Sequence, residues 1–367
     1  MNQTEFFGHG CINNLEYILK KENSKRIFLV RGKNSYKLSG AEQIIDPILS
    51  SYDSQEFYNF SSNPKIEEIE EGFSLFMEKD YDALIAVGGG SAIDVAKAIK
   101  LFSSQKHSNK KVSLIAIPTT AGSGSEATHF IVYYEGKKKQ SKGDENLTLP
   151  NYAICDPKLT LSLPRYVAAA TGMDALGQAI ESYWSVNSTE ESKRFSERAI
   201  NILMKNLDSS TNKNDLSSRE KVMKAANLAG KAINIAKTTA CHSISYPITS
   251  FFGIPHGHAV GLTLGEMLIY NSKVSDNDCI DKRGTSYVKR TINEIVEMLD
   301  TTPVEAKDKL QCLMENIGLE TRLSKLNIGK DEIDVIIENA FTPERMKNNP
   351  RLIDKENLRV ILNNILK

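Results

Sequence analysis

The sequence predicts an α/β N-terminal half followed by an all-α C-terminal half, on three observations. Short apolar runs recur between helical patterns from residue 26 to residue 155, strand signals stop after Pro164, and Pro157 and Pro164 interrupt both periodicities between the two regions. The runs Arg26–Val30, Ala83–Val87 and Ser113–Ile117 are continuous rather than alternating, as expected of strands buried on both faces of a parallel sheet. Ile66, Ile69, Phe73 and Phe76 follow helical spacing and would lay one apolar stripe on that sheet. His129–Tyr134 predicts one more strand, ahead of a lysine-rich turn at Gly136–Gly143. Beyond Pro164, helical patterns cover 165–185, 190–207, 218–237 and 289–317, and the polar segments 208–219 and 274–288 read as surface loops. The expected domains are therefore 1–157 and 158–367.

Bulk properties narrow the function. A chain of 367 residues suits two domains. Its 46 basic and 46 acidic residues balance, which removes the broad positive surface that nucleic-acid binding needs. No stretch approaches the ~20 apolar residues of a membrane span, and the N-terminus has no secretory pattern, so the expectation is a cytoplasmic protein with no membrane partner. The five cysteines are scattered and never form a CxxC pair, which argues against a disulfide framework. Cys241 adjoins His242 but reads as a packed thiol rather than a ligand.

Two segments carry chemistry in the first half. Val87–Lys97 runs from a strand end through Gly88, Gly89 and Gly90 into a helix, where a close-approaching backbone and free N–H groups attract phosphate. Pro118–Glu126 places hydroxyl and small residues at the carboxyl end of the next strand, so both turns can face one extended ligand. The common GxGxxG dinucleotide fingerprint is absent. In the second half, Asp174 and Gln178 stand four apart on one helix face, and the stretch 241–258 holds His242, His256 and His258, three of the six histidines. One acid and two imidazoles could hold Zn2+ or Fe2+ with a position open for substrate, although clustered histidines are also compatible with core or surface positions.

The ordered motifs Gly8–Gly10, GGGSAIDVAK at 88–97, PTTAGSGSE at 118–126, DPKLTLSLP at 156–164, TGMDAL at 171–176 and PHG at 255–257 resemble the iron-containing (group III) alcohol dehydrogenases over nearly the whole chain. The resemblance implies a Rossmann-like nucleotide-binding domain, an all-α metal-binding domain and hydride transfer in a cleft between them. It implies metal ligands at Asp174, His242 and His256, with Gln178 where the family usually has histidine; its carbonyl is a weaker donor than imidazole. Tyr246 stands where the family has a histidine assigned to proton handling, and Tyr246 or His258 is the expected proton donor. Contacts to NADPH or NADH are expected from Asn34, Gly88, Gly89, Gly90, Ser91, Asp94, Thr119, Thr120, Ser123, Thr128, Lys139 and Leu159.

The segments 176–189 and 242–264 resemble the branch that reduces phosphonoacetaldehyde to 2-hydroxyethylphosphonate, which carries Gln and Tyr at these positions. A small anionic aldehyde is thus the expected substrate and a homodimer the expected assembly. The anion should meet a cation near the metal, which the sequence leaves unidentified beyond the lysines Lys137, Lys138, Lys139 and Lys142. After the first strand there is no acidic residue, and Arg31 and Lys33 lie nearby, so NADPH should be accepted at least as well as NADH. The rivals are a polyol, simple-alcohol or sulfoacetaldehyde dehydrogenase of the same family, and a silent nucleotide-binding protein.

Overall fold

A computed structural model describes residues 3–106, 112–136 and 138–367, which leaves Lys137 outside the described residues. The chain divides into two compact units, Met1–Leu163 and Pro164–Lys367. The division falls beyond the expected Pro157 because the turn Pro157–Thr160 belongs to the first unit: Leu159 is buried in its core and Asp156 caps the turn through the Lys158 N–H.

The first unit is built on a six-stranded parallel sheet. Its strands are β1 (Thr4–Phe7), β2 (Arg26–Arg31), β3 (Asp53–Phe57), β4 (Ala83–Gly88), β5 (Ser113–Pro118) and β8 (Tyr152–Cys155), in the order β1-β8-β5-β4-β2-β3. Ile85 and Val87 pack into one core with Leu15, Ile18 and Ile117, while Leu84 and Ala86 pack into the other with Phe28, Phe76 and Ile99. Alternate residues of one strand thus feed opposite cores, which is why these strands read as unbroken apolar runs. A separate antiparallel hairpin pairs β6 (Ile131–Glu135) with β7 (Lys138–Lys142). The expected lysine-rich turn is thus itself largely strand, with Gly136 in the left-handed conformation at the bend.

Register sets the height of the functional turns. Gly88 of β4 lies opposite Pro118 of β5, and Val87 lies opposite Arg31 of β2. The turns after these strands therefore leave the sheet side by side at its carboxyl edge. The helix after β4, α1 (Gly90–Lys106), begins within the glycine run.

The second unit is helical. Its centre is α2 (Arg165–Trp184), buried almost all round from Ala168 to Trp184. Around it lie α3 (Glu190–Asn212), α4 (Leu216–Ala236), α5 (Ala240–Phe252) and α6 (His256–Ser272). Two expectations need correction. Most of the segment 208–219 is helix, because Ser210 and Thr211 are buried in the last turn of α3 and Asp215 caps α4 through the Ser218 N–H. The single pattern 289–317 is two helices, Thr285–Met298 and Ala306–Asn316, with Asp300 in the left-handed region and Pro303 in the break. No described helix is long and apolar enough to cross a membrane. All five cysteines are free thiols.

Candidate functional site

A helix as buried as α2 should carry few polar side chains, yet Asp174, Gln178 and Glu181 follow one another at i, i+4 and i+7 on one face. That face meets the start of α5 and the start of α6. Glu181, fully buried, accepts hydrogen bonds from the N–H groups of Cys241 at 2.7 Å and His242 at 3.4 Å and from the Thr239 hydroxyl at 2.7 Å, capping α5 from outside. Its second oxygen takes His242 Nδ1 in a short hydrogen bond.

The start of α6 is placed by chain geometry. Gly253 closes α5 in the left-handed conformation and Pro255 opens α6, so His256 is the first helical residue. A Cβ on Gly257 would strike the Ala170 carbonyl oxygen and lie 2.6 Å from Asp174 Cβ. Only glycine lets α6 approach α2 this closely, which brings His256 to Asp174.

The ligand atoms of Asp174, His242 and His256 lie within 4.8 Å of one another. Asp174 Oδ1 is 3.4 Å from His242 Nε2 and 3.8 Å from His256 Nε2. A tetrahedral cation with bonds of ~2.1 Å would hold its ligand atoms about 3.4 Å apart, so the spacing suits a divalent ion. The tautomers suit it as well. Glu181 fixes the proton of His242 on Nδ1. The Ser245 hydroxyl donates to the His242 carbonyl at 2.7 Å, so at 3.0 Å from His256 it accepts from Nδ1–H. Both Nε2 atoms therefore face Asp174, the side from which a shared cation would be held. Burial disfavours charge on His242, but Glu181 and Asp174 outweigh it and raise its pKa to about 9, so a proton and a cation compete for Nε2. Burial likewise opposes charge on Glu181, and His242 with the Thr239 and Cys241 donors holds its pKa below the ordinary range. Gln178 donates its amide to Asp174 Oδ2 at 3.2 Å, steadying the carboxylate.

Tyr246 stacks on His256, with ring centroids 5.8 Å apart and planes at 27°. His258 is placed differently. Its Nε2 donates to the Glu320 carbonyl at 2.7 Å, which leaves Nδ1 to accept the Tyr166 hydroxyl at 2.9 Å, and burial lowers its pKa. Both nitrogens of this second proton-donor candidate are engaged in holding α6.

In the first unit the two polar turns meet. A Cβ on Gly90 would lie 2.7 Å from Ser123 Oγ, and one on Gly89 would lie 3.3 Å from Thr120 Cγ2. Gly88, at φ 156°, begins the turn. Among the described residues buried Thr119 Oγ1 has no hydrogen-bond partner, so a polar atom is left over at this turn. Ser91, in the first turn of α1, hydrogen-bonds the Ser62 carbonyl. Asp94 accepts from Ser125 Oγ at 2.5 Å and the Val132 N–H at 3.0 Å, while Lys97 donates to Ser125, Thr128 and the Phe130 carbonyl. Asp94 and Thr128 thus tie the second turn to α1. Asn34 is exposed just after β2, Lys139 lies on β7, and Leu159 is core. Arg31, expected to attract a 2′-phosphate, is instead bound through two hydrogen bonds to Glu56 at 2.7 and 2.9 Å.

Sequence reasoning did not single out Glu181, Ser245 or Arg345, whose Nε donates to Tyr246 Oη at 3.3 Å. The i, i+4, i+7 acid–amide–acid pattern was the available signal for Glu181. Nothing local marks Arg345, which is 99 residues from Tyr246.

A glycine turn suited to phosphate and a carboxylate–imidazole set suited to a divalent cation define a metal-dependent oxidoreductase linked to a nucleotide coenzyme. Residues 2–157 match the iron-containing alcohol dehydrogenase family and residues 168–366 its C-terminal region. The chain belongs to the iron-containing alcohol dehydrogenase family. It is 34% identical to the phosphonoacetaldehyde reductase of Streptomyces viridochromogenes over 297 residues, 76% of this chain and 74% of that one. It is 29% identical to the NADPH-dependent butanol dehydrogenase of Clostridium saccharobutylicum, over 97% of this chain and 94% of that one. A crystal structure of sulfoacetaldehyde reductase from Bifidobacterium kashiwanohense in complex with NAD+ superimposes with a TM-score of 0.85 at 29% identity, covering 99% of this chain and 96% of that one.

Proposed function

We propose that this enzyme reduces phosphonoacetaldehyde to 2-hydroxyethylphosphonate in the cytoplasm, using NADPH or NADH. The Asp174, His242 and His256 cluster carries the reading, since one acid and two neutral imidazoles can hold Fe2+ or Zn2+. Likeness to the Streptomyces enzyme narrows the substrate. When bound, the cation supplies Lewis-acid polarisation of the carbonyl and the reduced nicotinamide supplies the hydride.

The residues of the chain do the rest. Glu181 and Ser245 hold the two imidazoles in the tautomers that present Nε2, and Gln178 orients Asp174. Tyr246 Oη is the proton donor to the product oxygen, because its ring lies on His256 whereas both nitrogens of His258 are engaged. The Gly88–Ser91 turn and Thr119–Thr120 bind the coenzyme phosphates. With Arg31 shared with Glu56, attraction for a 2′-phosphate is weaker than the sequence suggests, while Lys33 stays exposed just after β2.

Likeness to the Bifidobacterium enzyme favours sulfoacetaldehyde as a second reading. Loss of NADPH or NADH absorbance with phosphonoacetaldehyde, sulfoacetaldehyde, glyceraldehyde, lactaldehyde and butanal separates the readings. Phosphonoacetaldehyde should give the highest kcat/KM; no preference for an anionic aldehyde would sink the substrate assignment.

A further inference from the structure

We propose that Arg345 binds the oxyanion of the substrate and so selects aldehydes bearing a phosphonate or sulfonate, an inference that rests on the anionic-aldehyde reading above. Arg345 lies on the single helical turn Pro343–Met346 and is half-buried. Its Nε donates to Tyr246 Oη at 3.3 Å, and the Tyr246 ring stacks on His256. The guanidinium therefore stands one phenol ring away from a residue of the ligand cluster.

This placement is built into the fold. Ser243, next to His242 and fully buried, donates its hydroxyl to the Ala340 carbonyl at 2.5 Å and accepts the Thr342 N–H at 3.2 Å. The N–H groups of Arg345 and Met346 both close on the Thr342 carbonyl at 3.0 Å. The turn carrying Arg345 is thus pinned to the stretch of α5 that carries His242 and Tyr246.

The chemistry matches. A cation held by Asp174, His242 and His256 would take the carbonyl oxygen, so the remote oxyanion of the substrate needs a second, fixed positive charge of its own. A guanidinium keeps its charge across the working pH range and presents N–H donors in a planar fork that suits tetrahedral oxyanions. A substrate whose carbonyl faces the ligand cluster carries its oxyanion one methylene away from that carbonyl, and Arg345 is joined to the cluster through a single residue, Tyr246. An alkyl aldehyde such as butanal has no charge to place there.

The test compares kcat and KM for phosphonoacetaldehyde, sulfoacetaldehyde and butanal in the metal-loaded wild type, Arg345→Ala and Arg345→Lys. If the wild type does not prefer an anionic aldehyde, the substrate reading fails and this inference falls with it. If it does, Arg345→Ala should lower the ratio of anionic to butanal kcat/KM by about 30-fold, mainly through KM, as expected for loss of a charged hydrogen bond. The lysine variant should recover part of that ratio, and the anionic aldehyde with the larger wild-type kcat/KM identifies the oxyanion. A ratio that stays within about threefold of wild type while all substrates fall together would show Arg345 acting only through Tyr246, and would overturn the inference while leaving the substrate reading intact. Calorimetric titration with methylphosphonate reads the same site without turnover: binding should weaken about tenfold or more in Arg345→Ala, and unchanged binding would overturn the proposal.

Discussion

Each unit buries an acid and a base in contact, and the two pairs are used differently. On α1, Asp94 and Lys97 satisfy their charges with each other, with Ser125, Thr128 and the backbone of the adjoining turn. Burial leads both toward neutrality, lowering the Lys97 pKa to about 8 and raising that of Asp94. Between α2 and α5, Glu181 and His242 are just as buried, but their pairing uses only Nδ1 and leaves His242 Nε2 facing Asp174 Oδ1 at 3.4 Å. A closed polar network holds a fold together, whereas one that ends on an imidazole nitrogen facing a carboxylate is suited to holding a proton or a cation.

That contrast can be broken most directly at the open end. His256→Ala should remove stoichiometric Fe2+ or Zn2+ and reduce kcat at least about 1,000-fold, measured by metal analysis and coenzyme absorbance. Full metal retention would show that His256 is not a ligand. Glu181→Gln keeps the shape and the capping acceptor but loses the charge that holds His242, and should weaken metal affinity or activity by about 10- to 100-fold. No change in a chelator competition would mean that Glu181 serves packing alone.

Gln178→Ala should be milder, lowering metal affinity about tenfold, on the order of one lost hydrogen bond to the Asp174 carboxylate. A loss equal to that of His256→Ala would instead make Gln178 a full ligand. The smallest effect is expected from the closed pair. Because the Lys97 pKa is about 8 in the folded chain and 10.5 ordinarily, the unfolded chain binds the extra proton between those values. Stability therefore rises with pH through that window, and Lys97→Met should lose on the order of 1–2 kcal/mol of that rise between pH 8 and 10, read from denaturant midpoints. Parallel pH profiles for the two proteins would contradict the assignment.

The central strands were legible in the sequence because β2, β4 and β5 are buried on both faces and appear as continuous apolar runs. The strand β3, Asp-Ser-Gln-Glu-Phe, was not, since it lies at an edge with most of its side chains exposed. The polar end of α3 reads as loop because small hydroxyl residues favour turns locally, although Ser210 and Thr211 are buried by the packing of the helix.

At the site, sequence by itself determined the donor types and their helical phase: Asp174, Gln178 and Glu181 must share a face at i, i+4 and i+7, and Gly253 with Pro255 must end one helix and begin the next at His256. Such features depend on neighbours within a turn or two of chain. Tertiary structure alone decided which nitrogen each histidine presents, why His258 differs from His256 two residues away, and that Arg345 reaches Tyr246. Tautomer and reach are set by the hydrogen-bond partner across the packed helices, and those partners, such as Glu181 for His242 and Glu320 for His258, lie about 60 residues away in the chain.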